Sequence, residues 1–436
     1  GDIYFSLNNY QQAIAFYQQS LTINQAIEDQ QGEADSLITL GISYQTIGKY
    51  HQAIEFHQRS LDLNRVISNQ QGEADSLSNL GTAHFDLGNY EQAIDFHNQS
   101  LTIKRALKDK KGEMISLNVL GSVYGSLDNY EKAIIFLQQS LAIAREINDK
   151  KSICDSLGNL GLVHTNLAEY ALAIDFHKQS LSIGHEINDE QCIAGSFDGL
   201  GSVHSILGKY EESIDFYEKG LEIYKINGNQ KGETSILGNL GLVYSRLGQY
   251  ELAIDFYQRS LEIDQALGYL QGEANLLNLL GIVYSELNQY ELAIDSFQES
   301  LEIAREIGDQ KGQASSLDNL AGMYSILDDY PKALDLHKQS LEIDRRINNR
   351  KGEAASLGNI GRLYALEQDY INAISISQQA LSIARDIGLR SEESALLSIL
   401  GYYLFKIDQP ELAVVFYKAS VDIRESIRGD ITGLST

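Results

Sequence analysis

Apolar residues across Gly241–Leu267 recur at intervals of three and four. Leu237, Leu240, Gly241 and Tyr244 share one helical face, and that run stops near Gly248. Tyr250, Ala253, Ile254, Tyr257 and Leu261, widened by Ile263 and Leu267, form the stripe of a second helix. The spacing predicts two antiparallel amphipathic helices joined by a short turn at Leu247–Gly248–Gln249. Neither can bury its stripe alone, so the unit needs neighbours.

The neighbours are written forty residues away in both directions. Glycine opens a unit at 1, 41, 81, 121, 161, 201, 241, 281, 361 and 401, with Ala321 as the substitute, and a tyrosine column from Tyr10 to Tyr370 fails at Pro410. A fixed period with no insertion is the signature of a solenoid. The chain begins partway through a unit, so the expectation is eleven second helices and ten complete first helices of about 14–18 residues. These form one continuous array over residues 1–436 with about eleven 40-residue units, the first incomplete. Ser213, in place of a small alanine, is expected not to interrupt it. Asp149, Asp309 and Asn349 are placed as N-caps of first helices. Gly232, Gly312 and Gly352 fall in the opening turns, where close approach of two helices would justify their low helix propensity. Pro331 suits a helix's first turn, and Pro410 ends the preceding loop. Residues 401–436 read as a divergent terminal unit and linker: Leu404 and Pro410 replace tyrosines, and Arg424, Glu425 and Arg428 lead into GDITGLST. An altered cap or a linker to another domain would both produce this drift.

A formal charge of -26 argues against nucleic acid and anionic membrane as partners, since both need a basic surface. Two cysteines make no disulfide framework. No stretch has the roughly 20 apolar residues of a membrane span and no leader opens the chain, so the default location is cytoplasmic.

The glycine, the aromatic three residues later (Tyr44, Tyr124, Tyr244, Tyr284), the small residue of the second helix (Ala53, Ala133, Ala253, Ala293) and the aromatic after it (Phe56 or His57, Phe136, Phe256 or Tyr257, Phe297) resemble the tetratricopeptide repeat. The resemblance implies an all-α, right-handed superhelix with first helices lining the concave side. The 40-residue unit is similar to the longer-helix repeats of kinesin light chains and the spindle adaptor LGN. The wording of ESLEIAREIGDQKGQA and of the final unit also resembles bacterial, especially cyanobacterial, arrays that precede a caspase-like peptidase domain called CHAT, whose His and Cys would lie beyond Thr436.

Under that geometry Asn79, Asn159, Asn239, Asn319 and Asn359 form a ladder on the inner wall, broken by Thr39, Val119, Gly199 and Leu279. A carboxamide can bond a peptide's C=O and N–H whatever its side chains, and the resemblance implies such a ladder for extended peptides. The plain alternative is that asparagine is simply compact and soluble on a crowded wall. Ser245, Ser285 and Arg246 complete the candidate ligand-binding set, beside small neighbours such as Ser78, Gly158, Gly238 and Ser325. The position after the glycine, asparagine in the spindle adaptor, is here Leu162, Leu242, Ile282 or Arg362, a greasier wall. Arg246 and Arg362 stand more than two units apart, so a clamp for a chaperone's terminal carboxylate is not expected.

His84, His164 and His204 occupy the Tyr44 column, while His57, His97, His177 and His337 occupy the Tyr257 column, which makes them aromatic substitutes rather than metal ligands. Cys154 and Cys192 fall in columns of alanine and glycine and read as small fillers. No nucleophile arrangement appears at recognisable spacing, and no catalytic residue, metal or cofactor is expected. Three functions remain: a non-enzymatic scaffold binding a protein or extended peptide along the groove, an intramolecular sensor for the chain's own C-terminal effector, and a structural spacer assembling end to end.

Overall fold

A computed structural model describes residues 1–7 and 9–432, the last three of these by their backbone alone; the end of GDITGLST lies outside the described residues. Within them are twenty-two helices, from α1 (Asp2–Ser6) to α22 (Pro410–Thr432), and no strand. Odd-numbered helices are the first of each pair and even-numbered helices the second. Complete ones run 17 or 18 residues, except α22, which extends to 23. Second helices start at the tyrosine column, as α14 (Tyr250–Leu267) does, and Pro410 is the first residue of α22 rather than the end of a loop. Successive pairs stack into an all-α, right-handed superhelix.

The helix ends follow from local chemistry. The side chains of Asp149, Asp309 and Asn349 accept from the N–H groups of Ser152, Gly312 and Gly352, satisfying one free donor of each first helix. From Glu28 onward one residue in each described turn takes a left-handed conformation, filled by glycine at Gly48 and Gly248 and by Asn or Asp at Asn148 and Asp328, among others.

In most units the hairpin is locked by the glycine that opens it. The ring sixteen residues later lies flat on that glycine's backbone: His57 on Gly41, His97 on Gly81, Tyr257 on Gly241 and Phe297 on Gly281. A Cβ at Gly241 would fall 2.5 Å from the Tyr257 ring, so a larger residue must push the helices apart. Beside this lock the column expected to hold aromatics does so: Tyr44 stacks on Phe56, His84 on Phe96 and Tyr244 on Phe256 at 5.2–5.3 Å. His57, His97 and His177 are buried, and burial pushes each imidazole down to about 4, so they serve as neutral rings.

Units pack on apolar clusters, such as Leu61 with Leu77 and Leu80, while a polar link joins the two helices within each hairpin. Ser60, Ser100, Ser140, Ser260, Ser300 and Ser340 each donate to a first-helix carbonyl 26 residues earlier, at 2.7–3.1 Å. Several also meet a serine of the following first helix, as Ser300 meets Ser316 at 3.0 Å. Where that partner is Ile236, the donor position is Gly220, whose missing Cβ makes room for the isoleucine. The opening-turn glycines do the same for a side chain eight residues earlier: Gly232 for Tyr224, Gly272 for Asp264, Gly352 for Asp344.

Cys154 and Cys192 do not act as independent fillers. Their columns face each other between α9 (Lys150–Asn166) and α11 (Glu190–Ile206), and the two are disulfide-bonded with Cα atoms 6.3 Å apart. A pairing 38 residues apart is hidden from a reading that treats each cysteine within its own column. Ser213 is buried and donates to the Gly201 carbonyl at 2.7 Å.

The coil also touches itself. Tyr50 and Leu87 of the early units form one apolar cluster with Leu270 and Ile307 of later ones. Gln310 donates to Asn89 at 3.4 Å, and Lys231 to the Thr46 carbonyl at 3.4 Å while its ammonium lies 4.4 Å over the Tyr269 ring. These partners are up to 221 residues apart, between five and six units.

Two outcomes follow from these contacts. Gly241→Val should cost about 1–3 kcal/mol through overpacking, read as faster amide exchange in α13 (Gln230–Arg246) and α14; unchanged protection would show that the ring is not seated on that backbone. Leu270→Asp places a charge in the seam and should raise the radius of gyration in small-angle scattering at unchanged helicity, whereas an unchanged radius would mean that the turns do not depend on this cluster.

Candidate functional site

First-helix side chains line the concave wall, because each second helix spends its apolar face on its partner and on the next unit. A cavity of about 760 Å³ is bounded by residues from stretches far apart in sequence. One side comes from α7 (Lys110–Ser126) and α9, with Ser122, Ser126, Asn159 and Asn166. The other comes from α17 (Gln310–Ile326) and α19 (Arg350–Leu366), with Lys311, Asp318, Asn319, Lys351 and Asn359. Asn159, Asn319 and Asn359 thus meet in one space although 200 residues separate the first from the last. Asn79 lines a smaller space of about 380 Å³ between turns, with Gln45, Asp86, Lys231 and Tyr269.

The asparagine column already has a duty. Asn159 donates to Asn118 at 3.2 Å, Asn239 to Asp198 at 2.8 Å and Asn319 to Asn278 at 3.1 Å, in each case across to the preceding unit. Burial of Asp198 raises its carboxyl to about 6 against the lowering effect of the Asn239 bond. One N–H of each of these amides is therefore spent on stacking, leaving its oxygen and second N–H. The carboxamides of Asn79 and Asn359 make no hydrogen bond among the described residues. Arg246 donates to Ser205 at 2.9 Å and so bridges units as well. Ser245 and Ser285 are half-buried and lie outside this cavity.

Lys311 and Lys351 are the residues that the sequence reading passed over. They stand at the second position of α17 and α19, one unit apart, and line the same cavity. The sequence reading weighed Arg246 and Arg362 as the cations of the groove, whereas this pair comes from the opening turns of the first helices. Their lysine column was visible at Lys231, Lys311 and Lys351, but nothing in the period says that it faces inward.

The carboxylates are mostly committed. Asp318 accepts from His337 Nδ1 at 2.6 Å and from Ser356 at 3.0 Å, and Asp128 from Tyr130 at 2.7 Å. Since both His337 and Ser356 point at one carboxylate, the cluster is a hydrogen-bond sink and not a nucleophile with its base. Asp344, 1% exposed, accepts from Asn349 at 2.6 Å through Oδ1, while its Oδ2 has no partner. Burial, reinforced by Asp318 and Glu353 and opposed by the Asn349 bond and Lys311, pushes this carboxyl up to about 7. Among the described residues no three His, Cys, Asp or Glu side chains converge as a metal ion would require, and no helix is long and apolar enough to cross a membrane.

Comparison with solved structures agrees with the fold. A Rap protein complexed with competence and sporulation factor is similar at a TM-score of 0.52 and 14% identity, over 83% of this chain and 99% of that one. The apo quorum sensor NprR from B. thuringiensis is similar at 0.50 and 15%, over 83% and 99%. Both likenesses are of fold alone. No curated protein matches the chain in sequence. The tetratricopeptide repeat itself matches residues 1–65, 72–146, 152–226, 232–306, 273–346, 312–386 and 352–426. With the period, the ring-on-glycine lock and this match nearly end to end, the chain belongs to the tetratricopeptide repeat family.

Proposed function

We propose that the chain is a non-enzymatic scaffold that holds an extended peptide, or an extended segment of a protein partner, along its concave wall. The observation that carries this reading is the convergence of Asn159, Asn319 and Asn359 on one open cavity among small side chains. Groups of this kind can pair with a peptide backbone independently of its side chains. A cavity of that volume is within the range of ligand sites. The Rap protein of similar fold was solved with a bound factor, so a superhelix of this kind has room for a ligand. The charge of -26 disfavours nucleic acid or an anionic membrane in its place.

Residues 1–436 are taken to act as one array, of the longer-helix type seen in kinesin light chains and LGN. A regulatory role beside a caspase-like domain belongs to the same proposal as its narrower form. The extra length of α22, which reaches Thr432, is compatible with that form and with a plain cap alike.

Asn359 gives the cleanest test, because its amide makes no hydrogen bond among the described residues and its loss should not disturb stacking. Heptapeptides enriched from a random display library on the wild-type chain should bind Asn359→Ala about fivefold more weakly, the equivalent of about 1 kcal/mol for one hydrogen bond. The melting temperature should stay the same. Asn239→Ala should instead lower thermal stability, since it removes the bond to Asp198. Failure to enrich any peptide, or equal affinity of the Asn359 variant, would move the function away from this wall.

A further inference from the structure

The asparagine ladder along the first helices is interrupted where α9 meets α11. Asn159 of α9 donates to Asn118 of α7, and Asn239 of α13 to Asp198 of α11. Between these two rungs the donor position is Gly199 and the acceptor position Gly158, forty residues on from Asn159 and Asn118. Neither has a side chain with which to make the bond. A Cβ at Gly158 would meet nothing within 4 Å, and one at Gly195 would reach only the Tyr224 hydroxyl at 4.0 Å, so this step between units is loosely filled.

The tie that stands in for the missing rung is Cys154–Cys192, from α9 to α11. Both cysteines of the chain are spent on this one step. They line a space of about 500 Å³ beside Gly158, Gly195 and Gly199, with Cys154 3% and Cys192 8% exposed, so a small thiol reaches the pair from that space. The surroundings suit two thiols as well as a disulfide. The Ser180 hydroxyl lies 2.9 Å from Cys154 Sγ and the Ser180 carbonyl oxygen 3.3 Å from Cys192 Sγ, so each S–H would find an oxygen in place.

The step also lies at a sensitive point of the coil. One side of the 760 Å³ cavity comes from α7 and α9 and the other from α17 and α19. The seam is closed by Asn89 with Gln310, and by Tyr50 and Leu87 with Leu270 and Ile307. In chain order the α9–α11 step falls between the two partners in every one of these pairings. Each unit of a solenoid takes its orientation from its neighbour, so a change of rotation at this step displaces the two sides of the cavity and of the seam relative to one another.

We propose that Cys154–Cys192 is a redox-operated hinge: oxidised, it fixes the α9–α11 step and lets the coil close on itself; reduced, it frees that step and the seam opens. The reductant is a dithiol. One of its thiolates attacks a sulfur of the pair and the S–S bond breaks; its second thiol then resolves the mixed disulfide. Cys154 and Cys192 end as thiols, having taken up two electrons and two protons, and the dithiol ends as a disulfide. The hinge is independent of whether a peptide occupies the groove.

The test uses the full chain, air-oxidised or treated with dithiothreitol, with free thiols counted by mass spectrometry after alkylation. Reduction should speed amide exchange in α9 and α11 at least tenfold and raise the radius of gyration in small-angle scattering, with helicity unchanged by circular dichroism. Cys154→Ala with Cys192→Gly restores the residues usual in those columns, as at Ala34 and Gly232, so the double variant should fold. It should match the reduced chain in exchange and radius, with or without dithiothreitol. Free thiols in the oxidised chain, or an exchange rate or radius that reduction leaves unchanged, would overturn the hinge. A double variant that matches the oxidised chain, or that still responds to dithiothreitol, would overturn it as well.

Discussion

The contact on which everything else in this structure depends is the ring of a second helix lying on the bare backbone of the first. Glycine at the opening position brings the two helices close enough for the ring to be swallowed whole; Tyr257 and Phe297 are each 1% exposed. The lock tolerates different chemistry on its upper side. Tyrosine, phenylalanine, histidine and leucine all serve, and Ser377 stands there opposite Gly361, so the position fixes a fit against the glycine and not one chemistry. Ala321 marks the limit of tolerance on its lower side: a Cβ is present there, and the facing His337 remains buried while its Nδ1 is held by Asp318.

From that lock the architecture builds outward through apolar clusters between units and polar links beside them. The serine-to-carbonyl bonds tie the two helices of one hairpin together, the serine–serine contacts reach the next hairpin, and the asparagines bond unit to unit along the first helices. Buried hydroxyl and amide groups demand partners at defined angles, so these links set a rotation per unit where an apolar interface would permit a range. Repeated over five to six units, that rotation returns the coil onto itself at Tyr50, Leu87, Leu270 and Ile307. Structure and recognition thus draw on the same residues. An asparagine that spends one N–H on its neighbour keeps its oxygen and second N–H for a ligand, and its removal affects both roles. Asn359, with no internal partner, separates them.

The sequence by itself determined the hairpin and its ends. Helical periodicity, the left-handed turn residues, the Asp and Asn caps and the glycine-to-ring spacing are interactions within about 20 residues, and their outcome hardly depends on the rest of the chain. It likewise placed Asn159, Asn319 and Asn359 in one column and the histidines among the aromatic rings. What it left open was which units meet. A forty-residue period is compatible with any rise and rotation per unit, and a few degrees of difference accumulated over five units would carry Lys311 past Ser126 altogether. Only the packed coil decided that Lys311, Lys351 and Asn159 share a space, that Leu270 closes on Tyr50, and that Cys154 faces Cys192. The first two pairings are set by the sum of many interfaces between units and the cysteine pairing by one interface between neighbouring units, and none by a local rule of the chain.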